Sequence, residues 1–179
     1  MTSFVTGAGL ERYAISASDS WVTFEGRSSL HGLKGKAVGL SGYVEANWND
    51  DGSLATTPAP RMHLDVPVAN LRSGNAMFDR ETWKLIDSNR FPRIAADLRE
   101  LRSALGPNHY EASGDVTLAG RSRKYDGELT FAHDQDNVTI DGELRIDIRD
   151  FGLKPPNLLI IKVDPAVKAV LHLVARKTA

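Results

Sequence analysis

Residues 138–148 alternate without a break: Val138, Ile140, Gly142, Leu144, Ile146 and Ile148 occupy one phase, and Thr139, Asp141, Glu143, Arg145 and Asp147 the other. Successive side chains of a strand point to opposite faces, so the stretch predicts a strand with one dry and one wet side. The pattern recurs in Met62, Leu64, Val66 and Val68 against His63 and Asp65, and in Ala112, Gly114, Val116 and Leu118 against Ser113, Asp115 and Thr117. Weaker versions cover residues 21–24, 38–48, 94–98, 125–131 and 167–175. Turn-forming stretches separate them, such as Asn49-Asp50-Asp51-Gly52, Gly106-Pro107-Asn108 and Asp134-Gln135-Asp136-Asn137. Links of hairpin length make neighbouring strands antiparallel.

The alternation is interrupted once, where Asn75 is placed to cap a short helix carrying Phe78, Trp83, Leu85 and Ile86 that stops before Phe91-Pro92. The predicted fold is all-β: about eight antiparallel strands with one short helix. Period alone leaves a two-sheet sandwich and a closed barrel open. Gly42, Gly114, Gly127 and Gly142 fall in the apolar phase, where each leaves volume unfilled or permits a sharp bend. Barrels of about eight strands coil on such glycines and have room inside for one small ligand. The inward phase is also nearly free of charge, so a ligand would be neutral and apolar along most of its length.

Strand phase nominates a lining of Val22, Phe24, Leu40, Val44, Met62, Leu64, Val66, Val116, Leu118, Leu129, Phe131, Ile140, Leu144 and Ile146. Phe78 and Trp83 on the helix either cap the barrel mouth or seal its end as core. Phe151 opens an apolar connection through Gly152, Leu153 and Pro155 to Leu158, a stretch that either lines the mouth or begins a buried edge strand.

Other classes of function find less support. The 22 Lys and Arg against 23 Asp and Glu leave a net charge of −1, which gives the whole chain no pull on nucleic acid. The histidines His31, His63, His109, His133 and His172 lack metal-ligand spacing. His63 and His172 fall on wet phases, and His31 reads as a turn residue or a partner for a polar ligand head. Arg121, Arg123 and Lys124, with Arg99 or Arg102, form either a patch for lipid phosphates or an ordinary charged hairpin. No nucleophile elbow, phosphate loop or dinucleotide fingerprint is present, and no cofactor is expected. The chain has no cysteine, no leader-like start in its first ten residues and no apolar run of the ~20 residues that span a bilayer. As given, it is expected in the cytoplasm. Its 179 residues suit a flexible segment over 1–10 and a single domain over 11–179.

The order of features resembles the YceI-like family of lipocalin-like, isoprenoid-binding barrels. The resemblance runs from Tyr13-Ala14-Ile15 and Ser20-Trp21-Val22-Thr23-Phe24 through Leu40-Ser41-Gly42-Tyr43-Val44 to the strand 62–68 and Leu71-Arg72-Ser73-Gly74-Asn75. After the helix come Asn89-Arg90-Phe91-Pro92-Arg93-Ile94, the strand 110–118 with Ala119-Gly120-Arg121-Ser122-Arg123, and Ile148-Arg149-Asp150-Phe151-Gly152-Leu153. Two features depart from the family: many members carry an export signal, and Arg27-Ser28-Ser29-Leu30-His31 matches only loosely. The resemblance implies an antiparallel barrel with a long internal tunnel that holds a polyprenyl chain or quinone tail by apolar contacts. The expected function is non-enzymatic binding, sequestration or transport of such a lipid, with a homodimer left open. The alternatives are a structural or partner-binding barrel without ligand and a cofactor-free isomerase or hydrolase.

Overall fold

The computed structural model describes residues 9–30, 32–155, 157, 158 and 161–178. Most of the expected flexible segment 1–10, and His31, lie outside them. The strands are β1 (Glu11–Ile15), β2 (Trp21–Arg27), β3 (Gly32–Ala37), β4 (Ser41–Trp48), β5 (Leu54–Ala55), β6 (Arg61–Pro67), β7 (Arg93–Gly106), β8 (His109–Leu118), β9 (Arg121–His133), β10 (Asn137–Asp147), β11 (Asn157–Leu158), β12 (Ile161–Lys162) and β13 (Ala166–Lys177). One α-helix, α1 (Ala76–Ile86), lies between β6 and β7.

Eight strands form a closed ring in the order β1, β4, β6, β7, β8, β9, β10, β13 and back to β1, every pair antiparallel. The long strand β13 explains how the ring both closes and opens. One edge pairs with β10 from Asn137↔Arg176 to Asp147↔Ala166. The other is shared, with Ala175–Lys177 pairing β1 and Lys168–His172 pairing β2. Past β1 the wall therefore continues as the β2–β3 hairpin, and β3 meets the segment after β6 where Lys36 and Arg72 exchange backbone hydrogen bonds of 2.9 and 3.0 Å.

Two apolar clusters fill the interior. The larger includes Tyr13, Val44, Leu64, Phe131, Ile140 and Leu173, and the smaller, beside the helix, gathers Val68, Ile86, Val116, Leu118 and Phe151. The expected helix is in place, since Asn75 Oδ1 accepts the N–H groups of Met77 and Phe78 at 3.1 and 3.0 Å. It ends at Asp87, whose left-handed backbone lets its N–H turn back to Lys84 and Trp83. Ala119 and Gly120 both take positive φ, the conformation of a tight hairpin turn, and the Phe91 ring lies where a Cβ on Gly120 would be.

The apolar-phase glycines are explained by close approach and not by empty space. A Cβ on Gly42 would sit 1.9 Å from the His63 carbonyl oxygen, one on Gly114 2.3 Å from that of Asp97, and one on Gly127 2.7 Å from that of Glu143. At Gly142 it would meet Leu129 Cδ2 at 2.6 Å. Gly114 faces the point where β7 slips register between Leu98 and Glu100, so the two backbones crowd there. Of the two expectations for these glycines, unfilled volume does not hold, because neighbouring atoms already occupy the place of each Cβ.

Candidate ligand cavity

At the helix end of the barrel, inward-facing residues surround an apolar space. Phe24 and Gly26 of β2, Leu33 and Gly35 of β3, Leu71, Ile94 at the start of β7, Leu118 at the end of β8, Ile146 of β10 and Val167 of β13 form its wall. Phe78, Thr82, Leu85 and Ile86 of α1 lie over it, and Ile148, Leu153 and Val163 line the rest together with the charged Lys34, Lys36, Arg72 and Asp164. The cavity measures about 160 Å³.

Each rim element is positioned by its own local chemistry. The Asp147 carboxylate accepts the Arg149 N–H at 2.9 Å and starts the tight turn 148–151. Phe151 is buried against the Tyr125 ring at 5.9 Å between centroids, and Gly152 takes the left-handed conformation that ends the turn. The Tyr125 hydroxyl donates to the Asp150 carboxylate, and burial together with that bond pushes its pKa up to about 12. On the helix side, Trp83 Nε1–H donates to the Leu71 carbonyl at 3.2 Å with the Arg72 guanidinium over its ring. Opposite, Asp164 N–H donates to the Arg27 carbonyl at 2.8 Å and ties the segment before β13 to the end of β2.

The polar groups in the wall are largely consumed by the protein. Asp79 is buried, but its Oδ1 accepts the Ser73 N–H at 2.9 Å and the Ser73 hydroxyl at 2.6 Å. The Thr82 hydroxyl donates to the Phe78 carbonyl at 3.0 Å. A guest would therefore meet mainly carbon. Beside the cavity lies a wider polar recess of about 590 Å³ that shares Gly26, Leu33, Lys34, Asp164 and Val167 with it and adds Glu25, Arg27, Arg145 and Lys168.

The other end of the barrel is filled. Trp48 Nε1–H donates to the Tyr13 hydroxyl at 3.2 Å, that hydroxyl donates to Glu11 at 2.9 Å, and the Trp48 and His133 rings stack 4.2 Å apart. Burial, then the bond to Glu11, raises the Tyr13 pKa to about 12. This end belongs to the larger core cluster, and the apolar space lies at the opposite, helix end.

The sequence profile of the YceI-like domain matches residues 13–175. The chain belongs to the YceI-like family. None of the curated proteins matches it in sequence. Among solved structures, this YceI-like chain is similar to BcnA of Burkholderia cenocepacia, with a TM-score of 0.73 and 19% identity over 90% of this chain and 99% of that one. It is also similar to a polyisoprenoid binding domain from Saccharophagus degradans implicated in plant cell wall breakdown, at a TM-score of 0.71 and 14% identity over 94% and 99%. A third is the Campylobacter jejuni YceI protein, at 0.63 and 11% over 82% and 86%. At these identities the three likenesses speak for the fold.

Of the residues nominated from strand phase, Phe24, Phe78, Leu118 and Ile146 line the cavity. Val22, Leu40, Val44, Met62, Leu64, Val66, Leu129, Phe131 and Ile140 belong to the larger core cluster. Val116 and Phe151 sit in the helix-side cluster, with Leu144 and Trp83 packed on it. The side chain of Leu158 lies outside the described residues. Leu33, Leu71 and Val163 were not nominated, nor were Leu85, Ile86, Ile94, Ile148 and Val167, which the predicted helix and strands already contained, while Leu153 falls in the stretch read as lining the mouth. For Leu33 a signal existed, because Leu33, Gly35 and Ala37 alternate with Lys34 and Lys36.

The basic hairpin stands apart from the cavity: the Arg121 guanidinium packs over Gly152, Arg99 pairs with Asp115 at 2.6 Å, and Arg102 with Glu111 and Asp126 at 3.2 Å. His63 is half-buried between Asp97 at 2.7 Å and Asp65 at 3.0 Å. Burial opposes its charged form, but the two carboxylates prevail and raise its pKa. No group of three or more His, Cys, Asp or Glu that could hold a metal is found among the described residues.

Proposed function

We propose that this YceI-like chain binds an apolar, isoprenoid-type lipid, inserting its hydrocarbon end into the cavity beneath α1 and leaving its polar part at the mouth. The observation that carries this reading is the wall itself: Phe24, Leu33, Phe78, Leu118, Ile146 and Val167 present carbon to a space with one open end, and the nearby Asp79 and Thr82 are already hydrogen-bonded. Removing apolar surface from water contributes about 0.8 kcal/mol per buried CH₂, which is sufficient to hold a hydrocarbon without a charged contact. The likeness to a polyisoprenoid binding domain agrees with this choice of ligand. Sequestration or carriage, without catalysis or a cofactor, suits a cavity whose wall is almost all carbon, with Lys34, Lys36, Arg72 and Asp164 as its outer charged lining residues.

Native mass spectrometry of the purified protein, followed by organic extraction, tests the reading. The expected result is an adduct that disappears on extraction and is recovered as a hydrocarbon-rich molecule, or, for protein purified empty, uptake of added farnesol. Protein that is empty and takes up no farnesol would return the chain to the structural or partner-binding reading.

A further inference from the structure

We infer that Phe24 is the floor of the cavity and sets the length of hydrocarbon this barrel accepts. The inference rests on the lipid-binding reading above and goes on to name the residue that limits the ligand. Strand register divides the inner wall into rows. Nearest the mouth, Ile146 pairs with Val167 and Gly26 with Leu33, and all four line the cavity. One step deeper the row reads Gly127, Leu144, Ala169, Phe24, Gly35 across β9, β10, β13, β2 and β3. Of this row only Phe24 and Gly35 touch the cavity. One step deeper again come Leu129, Gly142, Leu171, Val22 and Ala37, and none of these reaches it.

The middle row alternates small and large side chains. Ala169 on one side of Phe24 and Gly35 on the other leave its ring no bulky neighbour in its own row. Phe24 is also, with Leu71 and Ile94, one of three residues that both line the cavity and pack against the larger core cluster. Of the three it is the largest, and its ring stands where the cavity lining meets the larger core cluster. The volume agrees with a short guest: a cavity of ~150 Å³ takes a benzene-sized molecule, and this one measures about 160 Å³. It therefore covers the last one or two isoprene units of a chain, and the rest of a longer ligand stays outside.

The test compares binding of geraniol, farnesol and geranylgeraniol, which differ by successive isoprene units, to the wild type, Phe24→Ala and Phe24→Leu, with a melting curve for each protein. For the wild type the affinity should change less than about twofold beyond geraniol, because the added units find no cavity to enter. Phe24→Ala should gain at least about tenfold from geraniol to farnesol, since the floor drops by one ring. Phe24→Leu keeps an apolar side chain at the floor and should show a smaller gain, which serves if the alanine variant does not fold. A wild type whose affinity climbs with each unit, or folded variants with the wild-type length profile, would overturn Phe24 as the floor while leaving lipid binding intact. Failure of the wild type to bind any of the three alcohols would overturn the lipid-binding reading and this inference with it.

Discussion

Gly114 and Gly142 share a pattern position and differ in what surrounds them. At Gly114 the space a Cβ would need is held by backbone, the Asp97 carbonyl at 2.3 Å and Leu98 Cα at 3.4 Å. At Gly142 the first obstacle is the tip of a leucine side chain, Leu129 Cδ2 at 2.6 Å, with Glu128 O at 3.0 Å and Leu171 Cδ1 at 3.2 Å behind it. At Gly142 a rotamer change moves the leucine tip aside and leaves a small shift of the Glu128 carbonyl, whereas nothing short of parting two strands relieves Gly114. Gly114→Ala is therefore expected to cost about 3 kcal/mol and Gly142→Ala about 1 kcal/mol, the upper and lower ends of what overpacking costs. Urea denaturation of both variants checks this ranking, and equal losses would count against it.

At the scale of the element, α1 is the cover of the cavity and its first turn is the weak point. Asn75 Oδ1 satisfies two of its free N–H groups, and Phe78, which lines the cavity, belongs to that turn. Removing such a cap costs about 1 kcal/mol. In Asn75→Ala the loss should appear locally, because few of the barrel's contacts depend on that turn. Hydrogen exchange is expected to accelerate at Met77 and Phe78 while the amides of β10 and β13 keep wild-type protection, and bound lipid should be released faster. Uniform acceleration across the barrel strands would show that the cap supports the whole fold instead.

For the whole molecule the two ends of the barrel have separate tasks. The far end is closed by Tyr13, Trp48 and His133, and Tyr13 is fully buried. The mouth end holds space, with Val167 half-buried on its wall. Tyr13→Ala should lower stability by about 3 to 5 kcal/mol, as truncating a buried aromatic does. Val167→Phe should leave the melting temperature within a few degrees of wild type and abolish lipid uptake, because its ring enters empty volume. Thermal melts and farnesol uptake measured on both variants separate these roles; a Val167→Phe protein that binds normally would show that the ligand does not use the mouth.

What could be read along the chain is what neighbours in sequence decide. Alternation in residues 138–148 marks a strand because side-chain direction follows from backbone geometry, and Asn75 marks a helix start because its carboxamide reaches N–H groups two and three residues on. Closure of the ring and the position of the cavity are not decided that way. Val116 and Leu118 share one phase of β8, yet only Leu118 meets empty space. Phase tells that a side chain leaves water; what it then touches depends on residues brought from strands far away in sequence, as Gly35, Phe24, Ala169, Leu144 and Gly127 come together in one row from residues 24 to 169. The glycines teach the same lesson in reverse, since the sequence shows a missing side chain, and only the neighbouring strand shows that its place is already taken.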